Sequence, residues 1–201
     1  MLKLFSVPIH VRKLNLNLDK MIEYCLSIEG KTKSIDISNQ GGWQSPPLQG
    51  DHPKLHGLFR EILEAGEQYR KIISYKYPLG LVNIWINING YKDYNIEHNH
   101  TNSVLSGAFY LTSNNSNIVF INPSSNVMDY EWGYDVIENY NEHNSAIWKI
   151  NPSENDLLLF PGWLNHRVEP NLTNKNRISI SFNLAKCEPQ SSQFKGRMGF
   201  K

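Results

Sequence analysis

Two histidines two residues apart, His98 and His100, lie in the run Glu97-His98-Asn99-His100. A third, His166, closes the run Pro161-Gly162-Trp163-Leu164-Asn165-His166. Imidazole nitrogen is a ligand for iron, zinc, copper or nickel. If the first segment is extended, alternate residues leave one face of the strand. His98 and His100 then point together, and Glu97 and Asn99 point away. An HxH pair by itself is as often a solvated surface feature as a metal site. His166 shifts that balance, because it follows the apolar stretch Leu157-Leu158-Leu159-Phe160 and a Pro-Gly turn that can deliver a third ligand. The three residues define a site better than they define a metal.

Arg177 opens a second patterned run, RISISFN. Ile178, Ile180 and Phe182 share one face, and Arg177, Ser179, Ser181 and Asn183 share the other. Such a strand can be half exposed. In a closed two-layer barrel its polar row instead faces a pocket. There a guanidinium beside serine hydroxyls is a receptor for a carboxylate, since its fork donates two parallel hydrogen bonds.

The elements that must hold these groups change character along the chain. Residues 4–11 alternate and read as a strand. Leu18, Met21, Ile22, Cys25, Leu26 and Ile28 recur at helical spacing up to Gly30. Residues 31–52 are rich in Gly and Pro and read as a loop. Leu55 to Ile73 mark a longer amphipathic helix, with Pro53 near its first turn. After Pro78 the period becomes two. In LVNIWINI, Val82, Ile84, Ile86 and Ile88 oppose Asn83, Trp85 and Asn87. Further strands are expected at 104–111, 117–121, 145–150, 156–161 and 177–184, a pattern that suits a sandwich or barrel.

The chain of 201 residues is expected to form one domain. Residues 1–78 hold the N-terminal strand, helices and loop, residues 79–185 the β core, and residues 186–201 a polar tail. A formal charge of +1 gives no footprint for nucleic acid and no polybasic membrane patch. No run reaches the ~20 apolar residues of a membrane span, and the N-terminus does not read as a signal peptide. Cys25 and Cys187 imply no disulfide framework, which suits a cytoplasmic protein. A homodimer is left open.

The runs GGWQSPPL (Gly41–Leu48), HNHTNSVLSGAFYL (His98–Leu111) and LLLFPGWLNHRVEPN with RISISFN (Leu157–Asn183) resemble the 2-oxoglutarate/Fe(II)-dependent oxygenase superfamily. The closer resemblance is to a family of small oxygenases found in phages and marine bacteria, which would place a phage-encoded copy in the host cytoplasm. The resemblance implies a mainly β double-stranded β-helix, a cupin-like jelly roll, with N-terminal helices against one sheet. It implies a dioxygenase that uses Fe(II), 2-oxoglutarate and O2, with a hydroxylated prime substrate that the sequence does not name. By position His98 and His166 take metal roles, Arg177 anchors the far carboxylate of 2-oxoglutarate, and Ser179 completes an Arg-x-Ser pair. Trp85, Asn87, Tyr110 and Asn183 are further candidates for lining the cosubstrate pocket.

The departure is His100, where the superfamily usually places a carboxylate. Either His100 is the third ligand, or Glu97, Asp129 or Asp135 completes the set. Strand alternation disfavours Glu97. If all three ligands are histidines, protons should compete with the metal near the unperturbed imidazole value of about 6.5. Two other readings stay open. HxH followed by PGxxxH also resembles a cupin that holds metal without 2-oxoglutarate, although a cupin usually has a glutamate soon after HxH. The other is a metal-free β-sandwich, such as a phage accessory protein. The 31–52 loop, the 123–144 insertion and the tail are the expected specificity elements. The insertion is long enough to hide a lid or further strands.

Overall fold

The computed structural model describes residues 4–35, 37–48, 52–132 and 136–187. Most of its helix lies in the N-terminal part. Strand β1 (His10–Lys13) leads into α1 (Leu18–Glu29), whose Asn17 cap accepts a hydrogen bond from the Lys20 N–H. Two short strands follow, β2 (Asn39–Gln40) and β3 (Trp43–Gln44). A 3-10 turn at Pro53–Leu55 then enters α2 (His56–Ile72).

The remainder is β4 (Leu79–Asn89), β5 (Tyr94–His98), β6 (Leu105–Tyr110), β7 (Ile118–Ile121), α3 (Ser125–Trp132), β8 (Ile147–Ile150), β9 (Asp156–Pro161), β10 (His166–Val168) and β11 (Arg177–Lys186). The strands form two antiparallel sheets, in the orders β1-β9-β6-β11-β4-β3 and β2-β5-β10-β7-β8. This is the expected double-stranded β-helix with N-terminal helices against one sheet.

Period-two patterning gives the six-stranded sheet two different faces. Ile84, Ile86 and Ile88 of β4 and Ile178, Ile180 and Phe182 of β11 turn outward. They form one buried cluster with Met21 and Cys25 of α1 and Leu58, Ile62 and Tyr69 of α2. Each such side chain contributes about 1.5–3 kcal/mol on burial. The opposite face meets the five-stranded sheet. There Tyr110, Leu158 and Phe160 pack against Ile118 and Phe120 in a smaller cluster. The register sets Ser179 against Asn87 and Tyr110, Ser181 against Trp85 and Ala108, and Asn183 against Asn83 and Ser106. A row of polar residues therefore faces the space between the sheets.

The first strand starts at His10 and runs to Lys13, later at both ends than its alternation suggests. Continuing the β1–β9 register beyond His10↔Leu159 would set Pro8 against Pro161, and neither has an N–H to donate. Phe5 is 98% exposed, with φ of 56°. The 31–52 stretch contains β2 and β3, which pair with β5 and β4 and so extend both sheets. The 123–144 insertion contains a helix, α3, and no strand among its described residues. Lys186 still belongs to β11, and the tail beyond Cys187 lies outside the described residues.

Candidate active site

β5 and β10 are neighbours in the five-stranded sheet, with His98 directly opposite His166. The register slips between that pair and Val168↔Asn95, so β5 carries an extra residue between Asn95 and His98. Such a bulge bends the strand and re-aims the next side chain. His100 lies just past the strand end. Its N–H donates to the Gly162 carbonyl at 2.8 Å, which ties the HxH segment to the Pro-Gly turn ahead of His166. A Cβ at Gly162 would stand 2.5 Å from the Ser103 carbonyl oxygen, so the turn closes only around glycine.

The side chains of Asn99 and Asn165 reinforce the tie. Asn99 Nδ2 donates to Asn165 Oδ1 at 2.8 Å, and Asn165 Nδ2 donates to Glu97 Oε1 at 3.3 Å. Glu97 also faces Arg167 at 3.7 Å. These residues alternate with the histidines and point away from the cavity.

The three imidazoles converge. Their ring centroids stand 4.4 Å (His98–His166), 5.0 Å (His98–His100) and 5.2 Å (His100–His166) apart. One nitrogen from each lies within 4.8 Å of the others, close enough to hold one metal ion. Backbone carbonyls fix two tautomers. His98 Nδ1 is 2.7 Å from the Ile96 oxygen, and His166 Nδ1 is 2.9 Å from the Leu164 oxygen. With Nδ1 protonated and donating, Nε2 is left with a free lone pair. His166 is buried, with Phe160 at 4.6 Å and Phe120 at 6.2 Å between ring centroids. His100 has no such carbonyl and stands 5.7 Å from the Trp85 ring.

Burial keeps the three rings neutral. Desolvation, with the His98 charge as the lesser cause, pushes His100 down to about 4 and His166 down to about 3. Desolvation also lowers His98, against the raising effect of its bond to Ile96. A ligand must be neutral to bind, so proton competition expected near 6.5 moves to lower pH. The unperturbed value fails here because the rings sit between two sheets.

The same cavity is lined, on the six-stranded sheet, by Trp85, Asn87, Tyr110, Arg177 and Ser179. Arg177 is 3% exposed. Its Nη1 donates to the Glu169 carbonyl at 3.1 Å, while its buried Nη2 has no partner among the described residues. Burial lowers its pKa, but a guanidinium stays charged. An unpaired buried cation next to a cavity calls for an anion. Tyr110, pushed up to about 12 mainly by desolvation, keeps its proton as a donor on the same wall. The residues therefore fit both a divalent ion and a carboxylate-bearing molecule.

Asn183 lies in the same polar row but is not part of the lining; its Oδ1 accepts from Ser106 Oγ at 2.6 Å. Glu97 is engaged outside the cavity. Asp135 lies outside the described residues, as does the side chain of Asp129. The lining also includes Ser38, Asn95, Phe160 and Ser181. Ser181 shares the polar face of RISISFN, a signal present in the sequence. Ser38 enters through the β2–β5 pairing, and its Oγ accepts from Asn95 Nδ2 at 3.2 Å. Nothing local in the 31–52 stretch marks that serine.

Residues 83–183, half of the chain, match a family model described as "Putative 2OG-Fe(II) oxygenase". Among solved structures, the chain is similar to the non-heme alpha ketoglutarate dependent epimerase SnoN from nogalamycin biosynthesis, at 14% identity and a TM-score of 0.66, covering 90% of this chain and 79% of that one. A Pseudomonas putida prolyl-4-hydroxylase matches at 9% identity and a TM-score of 0.62, over 91% of this chain and 95% of that one. HygX from Streptomyces hygroscopicus with iron bound matches at 13% identity and 0.60, over 95% and 90%. At these identities the likeness is one of fold. No curated protein matches the chain in sequence.

Proposed function

The chain belongs to the 2OG-Fe(II) oxygenase family, and from that premise we propose that it is a dioxygenase, a hydroxylase of its prime substrate, whose Fe(II) is held by His98, His100 and His166. One observation carries this reading: three neutral imidazoles share a cavity with a buried guanidinium whose Nη2 has no partner among the described residues. A cupin-type metal protein does not need that cation, and a non-catalytic sandwich needs neither group.

Each residue has a definable task. His98 and His166 present Nε2, with their other nitrogen tied to a backbone carbonyl. His100 supplies the third donor from beside Trp85. Arg177 pairs with the far carboxylate of 2-oxoglutarate, assisted by the Tyr110 and Ser179 hydroxyls on the same wall. Asn87 and Trp85 line the path between the two ends. Phe160, Ile118 and Val168 keep water from the opposite side. The iron, 2-oxoglutarate and O2 together supply the oxidative chemistry, in which 2-oxoglutarate is decarboxylated to succinate and CO2. The whole chain serves as one oxygenase domain. Its free cysteines, Cys25 and Cys187, suit the cytoplasm. No helix among the described residues is long and apolar enough to cross a membrane.

The test is an anaerobic titration of the metal-free protein with Fe(II) and then 2-oxoglutarate. A weak visible charge-transfer band should appear only when both are present, and admission of O2 should yield succinate. Iron binding without the band would indicate a cupin-type site, and binding of neither would indicate a non-catalytic domain.

A further inference from the structure

The described lining of the cavity contains three imidazoles and a guanidinium but no carboxylate. The acidic groups nearby are engaged elsewhere. Glu97 meets Asn165 and Arg167, Asp93 Oδ2 accepts the Gly90 N–H at 2.6 Å, and Glu169 is bound by Lys149 and Asn117. With a divalent ion on three neutral histidines, Arg177 opposite, and a dicarboxylate between them, one positive charge is left over. A carboxylate ligand would have cancelled it. In a cavity this enclosed, a surplus charge interacts with a counter-ion far more strongly than it would in water.

At the level of His100 the wall offers donors. Trp85 and Ser181 are direct cross-strand partners, both lining the cavity. Ser181 Oγ already accepts from Asn87 Nδ2 at 3.0 Å, so its own proton is free to be donated. The Trp85 indole N–H has no acceptor among the described residues, and an indole can only donate. Asn87, Ser179 and Arg177 lie further along the same strands, at the end assigned to 2-oxoglutarate.

We propose that the prime substrate carries an oxyanion group, such as a carboxylate or a sulfate or phosphate ester, received between the metal and the Trp85–Ser181 pair. The proposal rests on the three-histidine reading above. It can be tested on full-length protein loaded with Co(II), which replaces Fe(II) without turnover, and saturated with 2-oxoglutarate so that Arg177 is occupied. Acetate should then bind saturably, seen by calorimetry and as a change in the Co(II) visible spectrum, and neutral acetamide should not. His100→Asp, which cancels the surplus charge, should weaken acetate about tenfold. Combined Trp85→Phe and Ser181→Ala should weaken it similarly in protein kept saturated with Co(II) and 2-oxoglutarate. Affinity should rise from acetate to butyrate to benzoate as the organic part finds the cavity. Equal affinity for inorganic sulfate and every carboxylate would make this an ion site only and overturn the substrate assignment. Equal binding of acetamide and acetate would overturn it as well. Failure of Co(II) or 2-oxoglutarate to bind at all would sink the proposed function and this inference together.

Discussion

The two sheets that face each other across the cavity are built by different means. The six-stranded sheet is dominated by β4 and β11, of 11 and 10 residues, paired along nearly their whole length and covered on the outside by α1 and α2. It holds Arg177, Ser179, Tyr110 and Trp85. The five-stranded sheet is made of strands of two to five residues, and its outer face leaves Tyr94 and Ile96 40% and 41% exposed. It delivers His98 and His166. The proposed carboxylate receptor is thus set in a preformed wall. The histidine cluster depends on a bulge, a glycine turn and a few side-chain ties. Long paired strands resist local opening, and short edge-rich ones open first.

The contrast breaks most completely at His166. His166→Ala should abolish stoichiometric Fe(II) binding in anaerobic calorimetry; a mutant with wild-type affinity would mean the metal lies elsewhere. On the other sheet, Arg177→Lys keeps the charge but loses the fork. It should cost 2-oxoglutarate about 1.5–3 kcal/mol of affinity and leave Fe(II) binding intact. Parallel loss of both would show that Arg177 holds the sheet together instead.

Acid should act through the five-stranded sheet. His100 and His166 titrate at about 4 and about 3 in the folded protein, below their unfolded value of about 6.5. Between those limits the unfolded chain binds protons that the native chain does not. The stability of the metal-free protein should therefore fall as pH drops from 6.5 toward 4. Urea midpoints across that range should show the decline, and His166→Gln should flatten it. Unchanged midpoints in the wild type would mean that the rings are charged in the native state. The smallest expected effect belongs to Asn99→Ala. Losing its bond to Asn165 should weaken the metal by about 0.5–1.5 kcal/mol, with little change in 2-oxoglutarate affinity.

The same contrast explains what could be read in advance. β4 and β11 announce themselves, because long alternation with one apolar face has few other solutions, and with them came Arg177, Ser179 and Trp85. The histidines were legible by residue type and spacing, since imidazole chemistry does not depend on strand length. The strand β10 was not, because three residues carry no period. The bulge in β5 was equally hidden, as was Ser38, placed by a two-residue pairing formed only in the folded chain. The strand expected at 4–11 failed for the opposite reason. Its pattern is present, but continuing the β1–β9 register would set Pro8 against Pro161, where the ladder would have no donors. The histidine pKa values followed burial between sheets, which local sequence does not report.

The unequal surroundings of the histidines also bear on how this site can change over generations. The His166 ring is enclosed by Phe120 and Phe160 and pinned by the Leu164 carbonyl. A carboxylate there would be a buried anion against aromatic edges, reached by a side chain too short to replace the imidazole. His100 is only half-buried, its ring bonds no carbonyl among the described residues, and its neighbour is the Trp85 ring. Exchange between imidazole and carboxylate is therefore a short mutational path at position 100 and a closed one at position 166. With the proposed three-histidine site, one codon at position 100 would set the charge beside the metal without rebuilding the barrel.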